Sequence, residues 1–212
     1  EKMAGAYRSG SDLHQATAAI ITGKPPTEIG PGDRQTAKAV NFGLLYGQQA
    51  KGLVEIARRD YGVEMSLEDA QRFRSRFFNA YPALAGWQRD AKLLAHQKAA
   101  TGTEAYTLLG RPRKLASGNF WPIFTGLLNH PVQGTAAEGL KKAMIRLTRE
   151  LPEDSGIVGT VHDELIVEAP ELNAQEVCEM VSRIMREEME RVLGGQVPVA
   201  VEAKVVGSWG EK

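Results

Sequence analysis

The chain has 212 residues, of which 42% are hydrophobic and 25% charged, enough apolar material for one sizeable core or two small lobes. Lys plus Arg and Asp plus Glu each number 26, a zero balance that argues against a histone-like or polybasic-tail protein and against an acidic disordered chain. Cys178 is the single cysteine, which excludes an intrachain disulfide and a cysteine-based zinc site; the four histidines are scattered, and no apolar run approaches the roughly 20 residues of a membrane span.

Ser11-Asp12 followed by Leu13, Ala16, Ala19 and Ile20 reads as a capped helix ending near Gly23. The stretch 24–32, with three prolines and two glycines, reads as a loop. A helix is predicted from Asp33, which can cap it, to about Tyr46 before Gly47, with Ala37, Val40 and Leu44 as its inward stripe. Two more helices are predicted over 50–60 and 66–80, the second opened by a capping box of Ser66 and Asp69. Tyr81-Pro82 breaks the run, and a further helix extends from about Ala83 to Ala100. Thr103–Leu109, a basic turn and Lys114-Leu115 read as two short strands. A long helix is then expected from about Ile123 to Leu151, kinked at Pro131. Ile157–Val161 and Leu165–Val167 flank a tight polar turn as a hairpin would; 173–193 reads as a helix and Val197–Val206 as a last strand. The order predicts an α+β fold, in two lobes with a boundary near residue 115.

The zero net charge hides a division. Residues 1–149 hold 21 basic and 12 acidic side chains, whereas residues 150–191 hold 3 basic and 12 acidic. Within the basic part, Arg34, Lys38, Phe42 and Tyr46 fall every four residues and share one helix face. Two cations followed by two rings suit a ligand that is phosphate at one end and a flat base or sugar at the other. The same spacing equally describes a solvated surface helix with two incidental aromatics.

In the acidic part, His162-Asp163-Glu164 sits between β-branched runs, so its side chains would project from a rigid turn. Adjacent carboxylates suit Mg2+, which takes hard oxygen ligands; an ordinary polar hairpin turn accounts for three such residues as well. Asn129 and Gln133 set two amides four residues apart across Pro131, a spacing open both to minor-groove acceptors and to helix capping around a kink.

Together these segments resemble family A DNA polymerases, the bacterial DNA polymerase I group. Arg34-Gln35-Thr36-Ala37-Lys38-Ala39-Val40-Asn41-Phe42-Gly43-Leu44-Leu45-Tyr46-Gly47 is similar to that family's motif B, and Val161-His162-Asp163-Glu164-Leu165 to its motif C. Asn129–Ala137 is similar to the segment between them, and Asp12-Leu13-His14, Tyr81-Pro82, Leu109-Gly110-Arg111 and the ending Val201-Glu202 with Gly207-Ser208-Trp209 fit in order. The chain departs from the pattern at Thr125, where an arginine is common, and in the short interval 116–125.

The resemblance implies a partial right-hand polymerase fold: fingers over 1–115, with a short palm-derived segment at the start, and the C-terminal part of the palm over 116–212. It implies that His14, Arg34 and Lys38 bind the incoming deoxynucleoside triphosphate, with Lys38 able to protonate the leaving pyrophosphate. Phe42 would stack near sugar and base, and Tyr46 would lie by the templating base. Asn129 and Gln133 would touch the primer–template DNA, and His162 the primer terminus. Asp163, with Glu164 as a lesser contributor, would hold two catalytic Mg2+ ions, for which Mn2+ can substitute. Motif A and the thumb are not found in the sequence, so the chain is expected to need an N-terminal portion, in cis or as a separate chain, and to be inactive alone. The expected setting is the nucleoid, or the cytoplasm of a virus-infected host, with no membrane association. The competing expectation is a non-catalytic nucleic-acid or nucleotide-binding module that keeps the fold.

Overall fold

Asp12 opens its helix as the sequence predicts, its Oδ1 accepting the backbone N–H groups of His14 at 2.8 Å and Gln15 at 3.2 Å. In the computed structural model, which describes residues 2–211, this helix is α2 (Leu13–Thr22) and follows a short α1 (Lys2–Arg8). Helix α3 (Pro31–Leu45) starts two residues before the expected Asp33. Gly30 is the N-cap and Pro31 occupies the first turn, where its missing N–H costs nothing. Asp33 sits at the third helical position, accepts the Gly30 N–H at 3.1 Å and pairs with Lys24 at 2.8 Å.

Helix α4 (Ala50–Tyr61) is followed by α5 (Leu67–Ala80), whose Ser66–Asp69 capping box is present, and by α6 (Pro82–Lys98). Ile21, Val40, Leu44, Leu53 and Phe77 form the fully buried centre beneath α2 to α5. The C-terminal end of α3 is held twice. The amide of Gln88, 9% exposed, donates to the Leu44 carbonyl, and Gly47 turns with φ of 85° against Phe124 and Leu128.

Strands β1 (Thr103–Tyr106) and β2 (Pro112–Leu115) pair as a two-stranded sheet. β1 stops short of the expected Leu109 because Thr107 donates its N–H to the Arg111 carbonyl at 3.1 Å and accepts the Gly110 N–H at 3.0 Å, closing a turn. The single helix expected over 123–151 is divided into α7 (Phe120–Asn129), a π-helical turn His130–Gly134 and α8 (Thr135–Glu150). Pro131 has no N–H for the ordinary ladder, and the backbone widens around it. Ile123, Phe124 and Leu128 of α7 pack with Ala91 and Ala95 of α6.

The chain divides into two units by packing: one runs up to Ala105 and includes Pro112–His130, the other comprises Tyr106–Arg111 and the chain from Pro131 onward. In the second, β3 (Gly156–Val161) and β4 (Glu164–Glu168) form the expected antiparallel hairpin, with Val161 opposite Glu164 and a bulge at Val158. α9 (Ala174–Val192) packs Val177, Val181 and Ile184 on Ala143 and Leu147 of α8, with Ile157, Leu165 and Val167 of the hairpin alongside. Val197–Val206 is not a strand. Its alternation supplies two faces, but no neighbour among the described residues supplies a ladder, and Val199 donates its N–H to Glu190 Oε1 at 3.3 Å instead. Among the described residues no helix is long and apolar enough to cross a membrane.

Candidate functional site

The four-residue spacing on α3 becomes a surface. Arg34 is exposed, Lys38 half-buried one turn on, and Phe42 41% exposed one turn further. α2 packs beside this face and brings His14 to it, the imidazole 5.9 Å from the Phe42 ring centroid and tilted by 42°. On its other side Phe42 stacks on Tyr61, the last residue of α4, at 6.5 Å and 17°. Tyr46 closes α3 as its C-cap and is half-buried. The structure therefore unites His14, Arg34, Lys38 and Phe42, with Tyr46 at the far end of the same helix.

One of the two cations on this face is already paired. Arg34 Nε donates to Asp12 Oδ2 at 2.6 Å, and that hydrogen bond, with the two backbone N–H groups, holds the Asp12 carboxyl below its ordinary 3.8. Burial pushes the His14 imidazole below its ordinary 6.5; Asp12 pulls the other way, while Arg34 and Lys38 add to the depression. The surroundings of His14 thus disfavour a third positive charge beside the two cations.

Asn41 is the site residue that the spacing argument misses. It is 2% exposed, and its Nδ2 lies 2.9 Å from His14 Nδ1. Its one legible signal is an amide placed between Val40 and Phe42 and next to the apolar stripe of α3, where a buried polar group must find a partner. Asp12 and Tyr61 gave no such signal, since their roles depend on how α2 and α4 pack on α3.

In the second unit His162, Asp163 and Glu164 are exposed at the tip of the β3–β4 hairpin. His162 has φ of 55°, the single non-glycine residue with positive φ among those described. A left-handed backbone at such a residue costs of order 1–3 kcal/mol and fixes the direction in which the following carboxylate leaves the turn. Asp163 and Glu164 are hard oxygen donors of the type Mg2+ takes, but among the described residues no group of three or more His, Cys, Asp or Glu side chains could hold a metal ion. The donor type fits and the donor number is incomplete. Asn129 ends α7 and Gln133 lies in the π-helical turn, both exposed.

The family model described as DNA polymerase family A matches residues 1–211. The chain belongs to DNA polymerase family A. It is similar to DNA polymerase I of Aquifex aeolicus, with 40% identity over 98% of this chain and 35% of the relative. It is also similar to DNA polymerase I of Pseudomonas aeruginosa, with 33% identity over 97% of this chain and 22% of the relative. Among solved structures, the POL domain of Pol1 from M. smegmatis, in complex with DNA primer-template and dNTP, matches with a TM-score of 0.75 and 29% identity, over 95% of this chain and 35% of that one. The chain thus spans about a third or less of the length of these family A relatives, and its α+β fold is that of part of a polymerase domain.

Proposed function

We propose that the chain supplies the nucleotide-binding helix and the metal-binding hairpin of a template-directed DNA polymerase, which extends a primer 3′ end with deoxynucleotides. The observation that carries this reading is the face of α3, where Arg34, Lys38 and Phe42 follow one another and His14 is brought in from α2. The reading is supported by family membership and by the relative of known structure, which was solved with primer-template and dNTP.

In this reading Arg34 and Lys38 take the triphosphate, Arg34 as a planar fork and Lys38 as a mobile point charge that can also give a proton to the leaving pyrophosphate. His14 donates a hydrogen bond, and Phe42 offers an apolar ring to sugar and base. Tyr46 lies by the templating base. Asn129 and Gln133 face primer–template DNA and His162 the primer terminus. Asp163, with Glu164, would hold Mg2+, or Mn2+ in its place; two such ions, when bound, activate the attacking hydroxyl and stabilise the leaving oxygen. By motif, residues 1–115 are assigned to the fingers and 116–212 to the palm, although by packing α7 groups with α6. The missing carboxylates and the thumb are assigned to an N-terminal portion, in cis or as a partner chain, and the 212 residues are expected to be inactive alone. The setting assigned is wherever the DNA lies: the nucleoid, or the cytoplasm of an infected host.

The test is primer extension with Mg2+ and all four nucleotides, by the chain alone and mixed with the N-terminal portion of a family A polymerase. Extension by the mixture, lost by several powers of ten in Asp163→Ala, is the expected result. A mixture that binds DNA and nucleotide but does not extend would instead establish a non-catalytic binding module.

A further inference from the structure

His14 is the outer end of a buried run of hydrogen bonds that crosses three helices. Tyr81, 6% exposed at the α5–α6 junction, has its hydroxyl 3.2 Å from Thr17 Oγ1 of α2. Thr17, fully buried, donates to Asn41 Oδ1 of α3 at 3.1 Å, and Asn41 Nδ2 lies 2.9 Å from His14 Nδ1.

The run has a direction. An amide nitrogen only donates, so His14 Nδ1 accepts and carries a lone pair. The single Thr17 proton goes to Asn41, so Thr17 accepts from Tyr81, and both hydroxyl protons are used. With the amide reversed, Thr17 would accept from Asn41, and of the Thr17 and Tyr81 protons only one could be used between the two hydroxyls, leaving the other without an acceptor. Thr17 is the one hydrogen-bond partner of that hydroxyl among the described residues, and the ring is packed against Phe77 at 4.9 Å. An orphaned buried donor is the costlier arrangement, so the direction is set from the core outward.

We propose that Tyr81, Thr17 and Asn41 are positioning residues that hold His14 as the tautomer protonated on Nε2, so that it meets a ligand as a neutral hydrogen-bond donor and not as a third cation. The assignment of a ligand to it rests on the nucleotide-binding reading; the tautomer does not. Neutrality has a use beside Arg34 and Lys38. A third positive charge on the same face would repel both in the free protein, whereas an Nε2–H adds a directed contact without that repulsion.

The 212-residue chain with 15N-labelled histidine, studied by NMR at mildly alkaline pH, tests this. The expected spectrum shows His14 with a protonated Nε2 and an unprotonated Nδ1. Asn41→Asp places an acceptor opposite Nδ1 and should transfer the proton there. Thr17→Val combined with Tyr81→Phe removes both hydroxyls while keeping the packing, leaves Asn41 Oδ1 without a donor, and should release the amide and give a mixture of tautomers. A proton on Nδ1 in the wild type would overturn the proposal, as would a tautomer unmoved in the Thr17→Val, Tyr81→Phe double variant. Titration with dATP separates the two readings. The double variant should bind it about twofold more weakly, as an even mixture of tautomers requires, with its affinity for inorganic tripolyphosphate lowered by the same factor, because only the donor to phosphate has changed. If Arg34→Ala and Lys38→Ala bind dATP as the wild type does, the nucleotide reading fails and the tautomer result stands.

Discussion

Asp12 reaches from α2 to Arg34 on α3, Oδ2 to Nε at 2.6 Å, while its other oxygen caps the helix that carries His14. One carboxylate thus sets a phosphate-seeking guanidinium and an imidazole at the same time. In the proposed reading, a polyphosphate would have to compete with it for Arg34.

Asp12→Asn keeps a capping oxygen and removes the charge, so the chain should bind tripolyphosphate several-fold more tightly in an isothermal titration. Asp12→Ala loses the cap as well and should destabilise the fold by about 1 kcal/mol in urea unfolding. The Asp12 carboxyl is depressed in the folded state, first by Arg34. Its contribution is therefore complete above the unfolded value near 3.8 and is lost as pH falls below that value, an acid loss that Asp12→Asn should lack.

Gly47→Ala meets two obstacles. Its φ of 85° is left-handed, and a Cβ there would stand 2.7 Å from Phe124 Cε1 and 2.8 Å from Leu128 Cδ1. The combined backbone strain and overpacking should cost about 2–4 kcal/mol in chemical denaturation.

His162→Gly should relieve the left-handed turn and raise the unfolding free energy by up to about 1 kcal/mol, read as a higher Tm. Primer extension by the assembled polymerase should fall, because the variant loses both the fixed exit direction of Asp163 and the side chain assigned to the primer terminus. Higher stability with unchanged extension would show that the strained turn serves no purpose in the reaction.

Arg146 gathers Glu150 and Glu187 at 2.6 Å and Glu188 at 3.2 Å where α8 packs on α9. Arg146→Ala should lower the Tm, and by less at high salt, where the wild type is already screened. Hydrogen bonding from Arg146 holds the Glu187 carboxyl below its ordinary 4.5, so this part of the stability is lost as pH falls below that value.

Local chemistry was legible in the sequence. The Asp12 cap and the Ser66–Asp69 box depend on groups three residues apart or fewer, and the Arg34–Lys38–Phe42 face follows from helix geometry alone. The start of α3 was not, because Asp33 fits both the N-cap and the third position, and Gly30-Pro31 decides between them. Long-range pairings were beyond the pattern. Asn41 and His14 are 27 residues apart, Thr17 and Tyr81 64, and each pair exists only because helices pack at a particular register. Val197–Val206 shows the opposite error, a valid strand pattern with no described neighbour to bond.

Helix α3 is anchored unequally. Its C-terminal end is clamped by the Gln88 amide and by the wedge of Gly47 against Phe124 and Leu128, all buried. Its N-terminal end is pinned by two surface ion pairs, Lys24–Asp33 and Arg34–Asp12, of the kind worth about 0–1 kcal/mol each. Between these ends Ala37, Val40 and Asn41 are buried, so only the first turns, which carry Asp33 and Arg34, rest on exchangeable surface pairs. A multiply charged anion at Arg34 would therefore exchange one surface pair for another at little cost, while the core contacts keep the helix in place.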